Sequence, residues 1–195
     1  MSGKPFTILF VCHANLCRSP MAERLAHQAF THALGTDAAR LAISSAGTHA
    51  EPDLPIHPLA GVVLREFGAN AERFASRPTA VAMLADADLV LTADRGQRAW
   101  CATALPATLS RTFTLRQFGR LAAAVQPGEL AGTEPDTRLA HLVARMPAAR
   151  SRVHWATEAE DNLDDPVNQP IAAFRCCAGQ ISWALDVMVA LVRTR

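Results

Sequence analysis

A cysteine and an arginine separated by five residues, Cys12 and Arg18, have the strongest chemical potential in this chain. They lie between an apolar run at 6–11, typical of a buried strand, and a segment at 21–33 whose alanines and leucine share one helical face. The amides of such a loop and the N-terminus of the following helix can form a cradle for a tetrahedral oxyanion. Arg18 can bind two oxygens with its planar guanidinium. Cys12 would lie beneath the bound phosphorus as a nucleophile, because these surroundings stabilise a thiolate.

Cleavage of a phosphate monoester by cysteine also requires a proton donor for the leaving oxygen. The best candidate is Asp165, which directly precedes Pro166. The proline favours extended backbone at Asp165 and so helps to project its carboxyl group from a loop. The adjacent Asp164 is the alternative donor.

The loop and its flanks resemble the low-molecular-weight protein tyrosine phosphatase family. The family's mark, Val-Cys-x-x-Asn-x-Cys-Arg-Ser-Pro-Met-Ala-Glu, is matched by residues 11–23. Further similar blocks are Ser45-Ala46-Gly47-Thr48, residues 87–92 and Asp165-Pro166, in the family's order. The resemblance implies a cysteine-dependent phosphate-monoester hydrolase, similar to protein tyrosine phosphatases, that acts through a phosphocysteine and uses no metal or cofactor.

The resemblance also assigns roles within the site. Cys12, Arg18 and Asp165 would be catalytic, with Asp165 as the general acid. The phosphate would be bound by the whole loop: His13, Ala14, Asn15, Leu16, Cys17, Arg18 and Ser19. Asn15 would hold strained loop backbone, since asparagine tolerates left-handed conformations. Ser19 would donate a hydrogen bond to the Cys12 thiolate or cap a helix that starts at Pro20. Cys17 would either form a reversible disulfide with Cys12 or be a small apolar loop residue.

The elements predicted along the chain alternate between strands and helices. We expect strands at 6–11, 40–45, 88–92 and 112–115, a short strand at 74–76, and helices beginning near 58, 78, 94 and 116. A further helix would be broken at Pro147, and the last helix would bury one stripe from Ile171 to Val192. This alternation is typical of an α/β fold with a parallel sheet and helices on both faces. The resulting prediction is a single three-layer domain over residues 1–195, with about four strands in the order 2-1-3-4 and an atypically long connection at about 126–160. The acidic run at 158–161 is interpreted as a solvated face.

The bulk composition limits location and partners. A net charge of +1 predicts neither nucleic-acid binding nor a membrane-binding face. No apolar stretch is expected to reach the length of a membrane span. Five cysteines without regular spacing fit a reducing compartment, so we expect a cytoplasmic protein. The composition does not indicate an oligomeric state.

Residues around the loop depart from the family's pattern in the walls of the pocket. Val167-Asn168 follow Asp165-Pro166 where the family commonly has tyrosine, and the chain contains no tyrosine. His49 and Ala50 replace a frequent aromatic residue, and Phe74 replaces a histidine that supports the loop asparagine. The expected substrate is a phosphorylated protein or a small phosphate ester, with weak preference for phosphotyrosine.

Two other functions are possible for such a loop. An arsenate reductase on the same fold would relay oxidising equivalents through a mid-chain cysteine pair, but only Cys101 lies there, and Cys176 and Cys177 are interpreted as core residues of the last helix. A non-catalytic oxyanion-binding module would need neither a nucleophile nor a proton donor.

Overall fold

The central element of the fold is a four-stranded parallel sheet in the order β2-β1-β3-β4. It is seen in a computed structural model that describes residues 4–193. The strands are β1 (Phe6–Cys12), β2 (Leu41–Gly47), β3 (Leu89–Thr92) and β4 (Thr112–Thr114). The predicted fold class and strand order are therefore confirmed. The register pairs Cys12 with Gly47, which places the end of β1 beside the end of β2.

Helices cover both faces of the sheet. They are α1 (Arg18–Leu34), α2 (Pro58–Glu66), α3 (Val81–Asp86), α4 (Arg95–Ala104), α5 (Leu115–Ala122), α6 (Pro135–Ala149), α7 (Glu158–Asp161) and α8 (Ile171–Val192). Alternate side chains of β1 enter two separate cores, as the two-residue period of a strand requires. Ile8 and Phe10 pack with α1, α5 and α8, whereas Leu9 and Val11 pack with Leu84 and Cys101 from α3 and α4.

Two predicted boundaries are wrong for local reasons. Residues 74–76 form no strand; the only sheet pairing nearby is an isolated bridge between Gly47 and Pro78, and the following helix begins at Val81. Helix α6 is not broken at Pro147 but continues to Ala149. Pro147 is exposed and lies in the last turn, so the missing amide removes one hydrogen bond close to the natural end of the helix.

The segment 126–160 is largely ordered into helices that pack on the domain. It contains 3₁₀ turns at Pro127–Glu129 and Arg150–Arg152 in addition to α6 and α7. The buried Arg138 of α6 donates to the carbonyls of Leu130, at 3.1 Å, and Leu191, at 2.8 Å. These bonds fix the segment to the C-terminal end of α8.

Helix α8 is long and apolar, and it corrects two expectations. It is the one helix within residues 4–193 that is long and apolar enough to cross a membrane by length and composition, contrary to the expectation that no stretch reaches this length. Its buried stripe, which includes Phe174, Ile181 and Met188, packs in the main core. Cys177 belongs to that core, but Cys176 is exposed, because the helix turns by about 100° per residue and carries Cys176 off the buried stripe.

Candidate active site

The loop between β1 and α1 is fixed through its carbonyl groups. The carbonyls of Cys12, His13 and Leu16 accept hydrogen bonds of 2.9 Å from the amides of Thr48, His49 and His57, respectively. The amides of residues 13–17 donate no hydrogen bond to any part of the chain between residues 4 and 193. The loop is thus anchored from the side of β2, and its donors are available to an oxyanion.

Asn15 holds the loop in a left-handed turn. Its φ is 55°, and the residue is fully buried. The side-chain amide donates to the hydroxyls of Ser19 and Ser45 at 2.9 Å, while its oxygen accepts from the Arg77 amide at 3.0 Å. Ser45 in turn donates to the Glu23 carboxylate at 2.6 Å. This network supplies the support that the resemblance would assign to a histidine near Phe74.

Ser19 lies in contact with the predicted nucleophile. Its hydroxyl is 3.0 Å from Cys12 Sγ and 3.2 Å from the Ala46 carbonyl, so its single proton can be donated to either. The alternative role as a helix cap is wrong. Helix α1 begins at Arg18, so Ser19 already lies within its first turn, and the N-cap residue is Cys17.

Arg18 brings the site together. Its side chain is 6% exposed and forms ion pairs with Asp94, at 3.2 Å, and with Asp165, at 2.5 Å. The guanidinium also donates to the Leu163 carbonyl at 3.3 Å. Asp165 therefore lies at the loop of Cys12, whereas Asp164 is exposed and has no ion pair or side-chain hydrogen bond within the described chain.

Asp94 is a site residue that the sequence analysis missed. It caps α4 through a reciprocal pair of hydrogen bonds with Gln97. The Asp-x-x-Gln pattern directly after a buried strand was a usable signal, because it marks a helix start at the carboxyl edge of the sheet. Asp94 also forms an ion pair with Arg18. These two residues are 76 positions apart in the sequence, so no local pattern indicates the pair.

The segment that carries Asp165 is anchored by a buried carboxylate. Asp161 is 1% exposed and binds Arg95 through one oxygen, at 2.6 Å, and Arg120 through the other, at 2.5 Å. The Leu163 amide then donates to the Ala93 carbonyl at 2.8 Å. The interpretation of 158–161 as a solvated face is therefore wrong at Asp161, because two distant arginines compensate its charge.

Two further thiols are close to Cys12, one in the loop itself and one on α8. Cys17 and Cys177 are buried, and burial is the main cause that raises the pKa of each thiol to about 12; the nearby Cys12 raises both further. All five cysteines are free. Within residues 4–193, no group of three or more histidine, cysteine or acidic residues is arranged to hold a metal ion.

The rim of the loop carries imidazole rings instead of tyrosine. His13 and His49 stack with ring centroids 4.6 Å apart and an interplanar angle of 27°. Val167, on the other side of Asp165 in sequence, is 38% exposed. The rim thus offers an aromatic surface from the side of β2 and a small aliphatic one after Asp165.

Comparisons with known proteins agree with this geometry. The family model for low molecular weight phosphotyrosine protein phosphatase matches residues 7–126. A probable low molecular weight protein-tyrosine-phosphatase, EpsP, from Ralstonia nicotianae is 30% identical over 112 residues, which are 57% of this chain and 72% of that protein.

Solved structures share the fold over nearly the whole chain. The YwlE arginine phosphatase of Geobacillus stearothermophilus superposes with a TM-score of 0.67 at 24% identity, covering 95% of this chain and 92% of that one. The tyrosine phosphatase AmsI of Erwinia amylovora has a TM-score of 0.67 at 21% identity, covering 99% and 96%. The chain therefore belongs to the low molecular weight phosphotyrosine protein phosphatase family and is a cysteine-dependent phosphomonoester hydrolase.

Proposed function

We propose that this phosphatase hydrolyses phosphotyrosine in proteins through a phosphocysteine formed on Cys12. The observation that carries the proposal is the 2.5 Å ion pair between Arg18 and Asp165, which joins the phosphate loop to a carboxyl group from a distant segment. Family membership implies a phosphorylated protein or a small phosphate ester as substrate.

The proposed reaction has two steps. In the first, the phosphate takes the place of Asp165 on Arg18, the Cys12 thiolate attacks phosphorus, the bond from phosphorus to the leaving oxygen breaks, and Asp165, in its protonated form, gives that oxygen its proton. In the second, Asp165 accepts a proton from water, the water oxygen attacks phosphorus, and the phosphorus–sulfur bond breaks to release phosphate and the thiolate. Arg18 and the amides of residues 13–17 stabilise the equatorial oxygens throughout. The hydroxyl of Ser19 stabilises the sulfur as thiolate and as leaving group.

The choice of phosphotyrosine rests on the rim and on the EpsP relative, whose name describes a tyrosine phosphatase. The stacked rings of His13 and His49 offer a face to an aromatic leaving group. Val167 cannot stack, so we expect only a weak preference for aryl over small alkyl phosphates. We place the reaction in the cytoplasm, where a reactive thiol and four further free cysteines stay reduced.

No observation favours an arsenate reductase. Cys101 is buried on the other face of the sheet, among Leu9, Val11 and Leu84, and Cys177 is buried in the main core. Neither thiol lies on a loop that could carry a relay. A binding module without turnover would not require a carboxyl group paired with Arg18.

The test combines the nucleophile with the two adjacent aspartates. Turnover of para-nitrophenyl phosphate and of a phosphotyrosine peptide should be abolished by Cys12→Ser. Asp165→Asn should lower kcat by about 10² to 10⁴, most strongly for poor leaving groups. The matched control Asp164→Asn should leave kcat unchanged, because that side chain has no partner at the site.

Two results would contradict the proposal. Full activity of Cys12→Ser would remove the phosphocysteine. A loss of kcat in Asp164→Asn but not in Asp165→Asn would show that Asp164 is the general acid.

A further inference from the structure

A second cationic site lies next to the segment that carries Asp165. It is a pocket of about 190 Å³ whose lining includes Arg95, Gln117, Arg120, Arg150, Trp155 and Asp161, here called the cationic pocket. Three guanidinium groups face one carboxylate. None of these residues takes part in the proposed reaction. Three of them, Arg150, Trp155 and Asp161, lie beyond residues 7–126, which the family model matches.

The positive charge of the cationic pocket is only partly compensated. Both oxygens of Asp161 are already bound, one by Arg95 and one by Arg120. Arg150 is exposed and forms no ion pair or side-chain hydrogen bond with residues 4–193. Burial lowers the pKa of the neighbouring Arg98; the positive charges of Arg150 and Arg95 add to that lowering, and the carboxylate of Asp161 opposes it. The arginines therefore crowd one another, and an added anion would relieve their repulsion.

A hydrogen-bonding group in the cationic pocket is also left over. Arg120 Nε is a buried donor with no hydrogen-bond partner in the described chain, so a bound anion could accept from it. A buried donor without a partner is unfavourable, and an anionic acceptor in the pocket would remove part of that cost. Trp155 at the same pocket is 92% exposed, so an indole face is available beside the charges.

The cationic pocket is close enough to the phosphate loop for one substrate to contact both. Asp161, in its lining, is four residues from Asp165, and such a span covers at most about 14 Å even when fully extended. Arg95, also in its lining, directly follows Asp94, which binds Arg18. A peptide segment of a few residues can therefore extend from the phosphate loop to this pocket.

We propose that the cationic pocket binds an anionic group of the substrate protein, either a carboxylate or a second phosphate ester, located a few residues from the phosphotyrosine. The inference rests on the proposed function and makes it more specific, since it selects substrates with acidic or multiply phosphorylated surroundings. Arg150 supplies the charge that no internal partner neutralises, and guanidinium groups bind both kinds of anion in a bidentate manner.

The experiment compares three phosphotyrosine peptides of one sequence. The peptides differ only in the residue placed two to four positions from the phosphotyrosine on each side, which is glutamate in the first, phosphoserine in the second and glutamine in the third. The wild-type protein should show kcat/KM about three- to tenfold higher for an anionic peptide than for the glutamine peptide. The difference should come from a lower KM, with kcat unchanged. Arg150→Ala should remove that preference. Arg145→Ala is the matched control, because Arg145 is an exposed arginine on α6 outside the pocket, and it should keep the preference.

The outcomes separate the cationic pocket from the reaction itself. All three proteins should hydrolyse para-nitrophenyl phosphate equally, since this substrate is too small to reach the pocket. Absence of phosphotyrosine hydrolysis by the wild type would overturn the proposed function, and the pocket would then be tested by equilibrium binding of the same peptides to the Cys12→Ser protein. The same anionic preference in wild type and Arg150→Ala, or no preference in wild type, would overturn the pocket. The anionic peptide that shows the preference identifies the group bound.

Discussion

Arg18 contacts both the phosphate-binding loop, of which it is part, and Asp165, the proposed proton donor. Its guanidinium is shared by two carboxylates, Asp94 and Asp165, and both compete with a phosphate for the same positive charge. Asp94 also caps α4, so it is held in place by its own helix. Asp165 is the more exposed competitor, because its side chain is 48% exposed and it lies in a loop.

This competition predicts opposite effects of one substitution on binding and on rate. Asp165→Asn removes a negative charge from Arg18, so inorganic phosphate should inhibit this variant at a concentration about three- to tenfold lower than wild type, while kcat falls. Inhibition constants measured at constant pH and ionic strength check this. Asp164→Asn should leave the inhibition constant unchanged, and an unchanged or higher constant for Asp165→Asn would show that the ion pair does not oppose anion binding.

At the scale of elements, the end of β2 shapes the phosphate loop. Gly47 pairs with Cys12 in the sheet, and a Cβ at this position would lie 2.5 Å from the His13 carbonyl oxygen and 2.8 Å from the Asn15 amide nitrogen. Both neighbours are backbone atoms of the loop. The glycine is therefore required because the end of β2 and the phosphate loop approach each other closely.

Gly47→Ala should consequently displace the loop and reduce activity. Misplacement of reacting groups by about 1 Å can cost about 10²-fold, so we expect a loss of at least about tenfold in kcat/KM for para-nitrophenyl phosphate. Gly179→Ala is the control, because a Cβ there meets nothing within 4 Å on α8, and it should retain full activity. Thermal unfolding of both variants separates loop displacement from global unfolding. Wild-type kinetics in folded Gly47→Ala would show that the loop tolerates the shift.

The sequence predicted those elements whose cause is local and failed where the cause is a distant partner. The strand, loop and helix around Cys12 follow from periodicity and composition within residues 6–33, and they agree with the structure. Asp161 was misinterpreted because the arginines that bury it lie 66 and 41 positions away. The ion pair of Asp94 with Arg18 was missed for the same reason. The roles of Cys12, Arg18 and Asp165 in the reaction remain predictions, which the proximity of Arg18 to Asp165 supports.

Across the whole molecule, buried thiols are distributed through both cores. Cys17 and Cys177 lie in the larger core, and Cys101 lies in the smaller one on the opposite face of the sheet. Burial is the main cause that raises the pKa of each of these three thiols from 9.0 to about 12. In the folded protein they therefore keep their protons well above the pH at which an exposed thiol ionises.

This difference predicts that stability falls as pH rises from about 9 to 12. In that window the unfolded chain releases thiol protons that the folded chain retains, so the unfolded state binds fewer protons and the free energy of unfolding decreases with pH. Below pH 9 the contribution is fully present. The chain contains no tyrosine, so no phenol titrates in the same range.

Urea unfolding followed by tryptophan fluorescence at pH 8, 9, 10 and 11 would measure how the free energy of unfolding changes with pH. Cys101→Ala should make the slope shallower by up to about 1.4 kcal/mol per pH unit, whatever it does to stability at pH 8. The exposed Cys176→Ser should leave the slope unchanged. A slope that is the same in wild type and Cys101→Ala would mean that the buried thiol of the smaller core does not oppose unfolding at high pH.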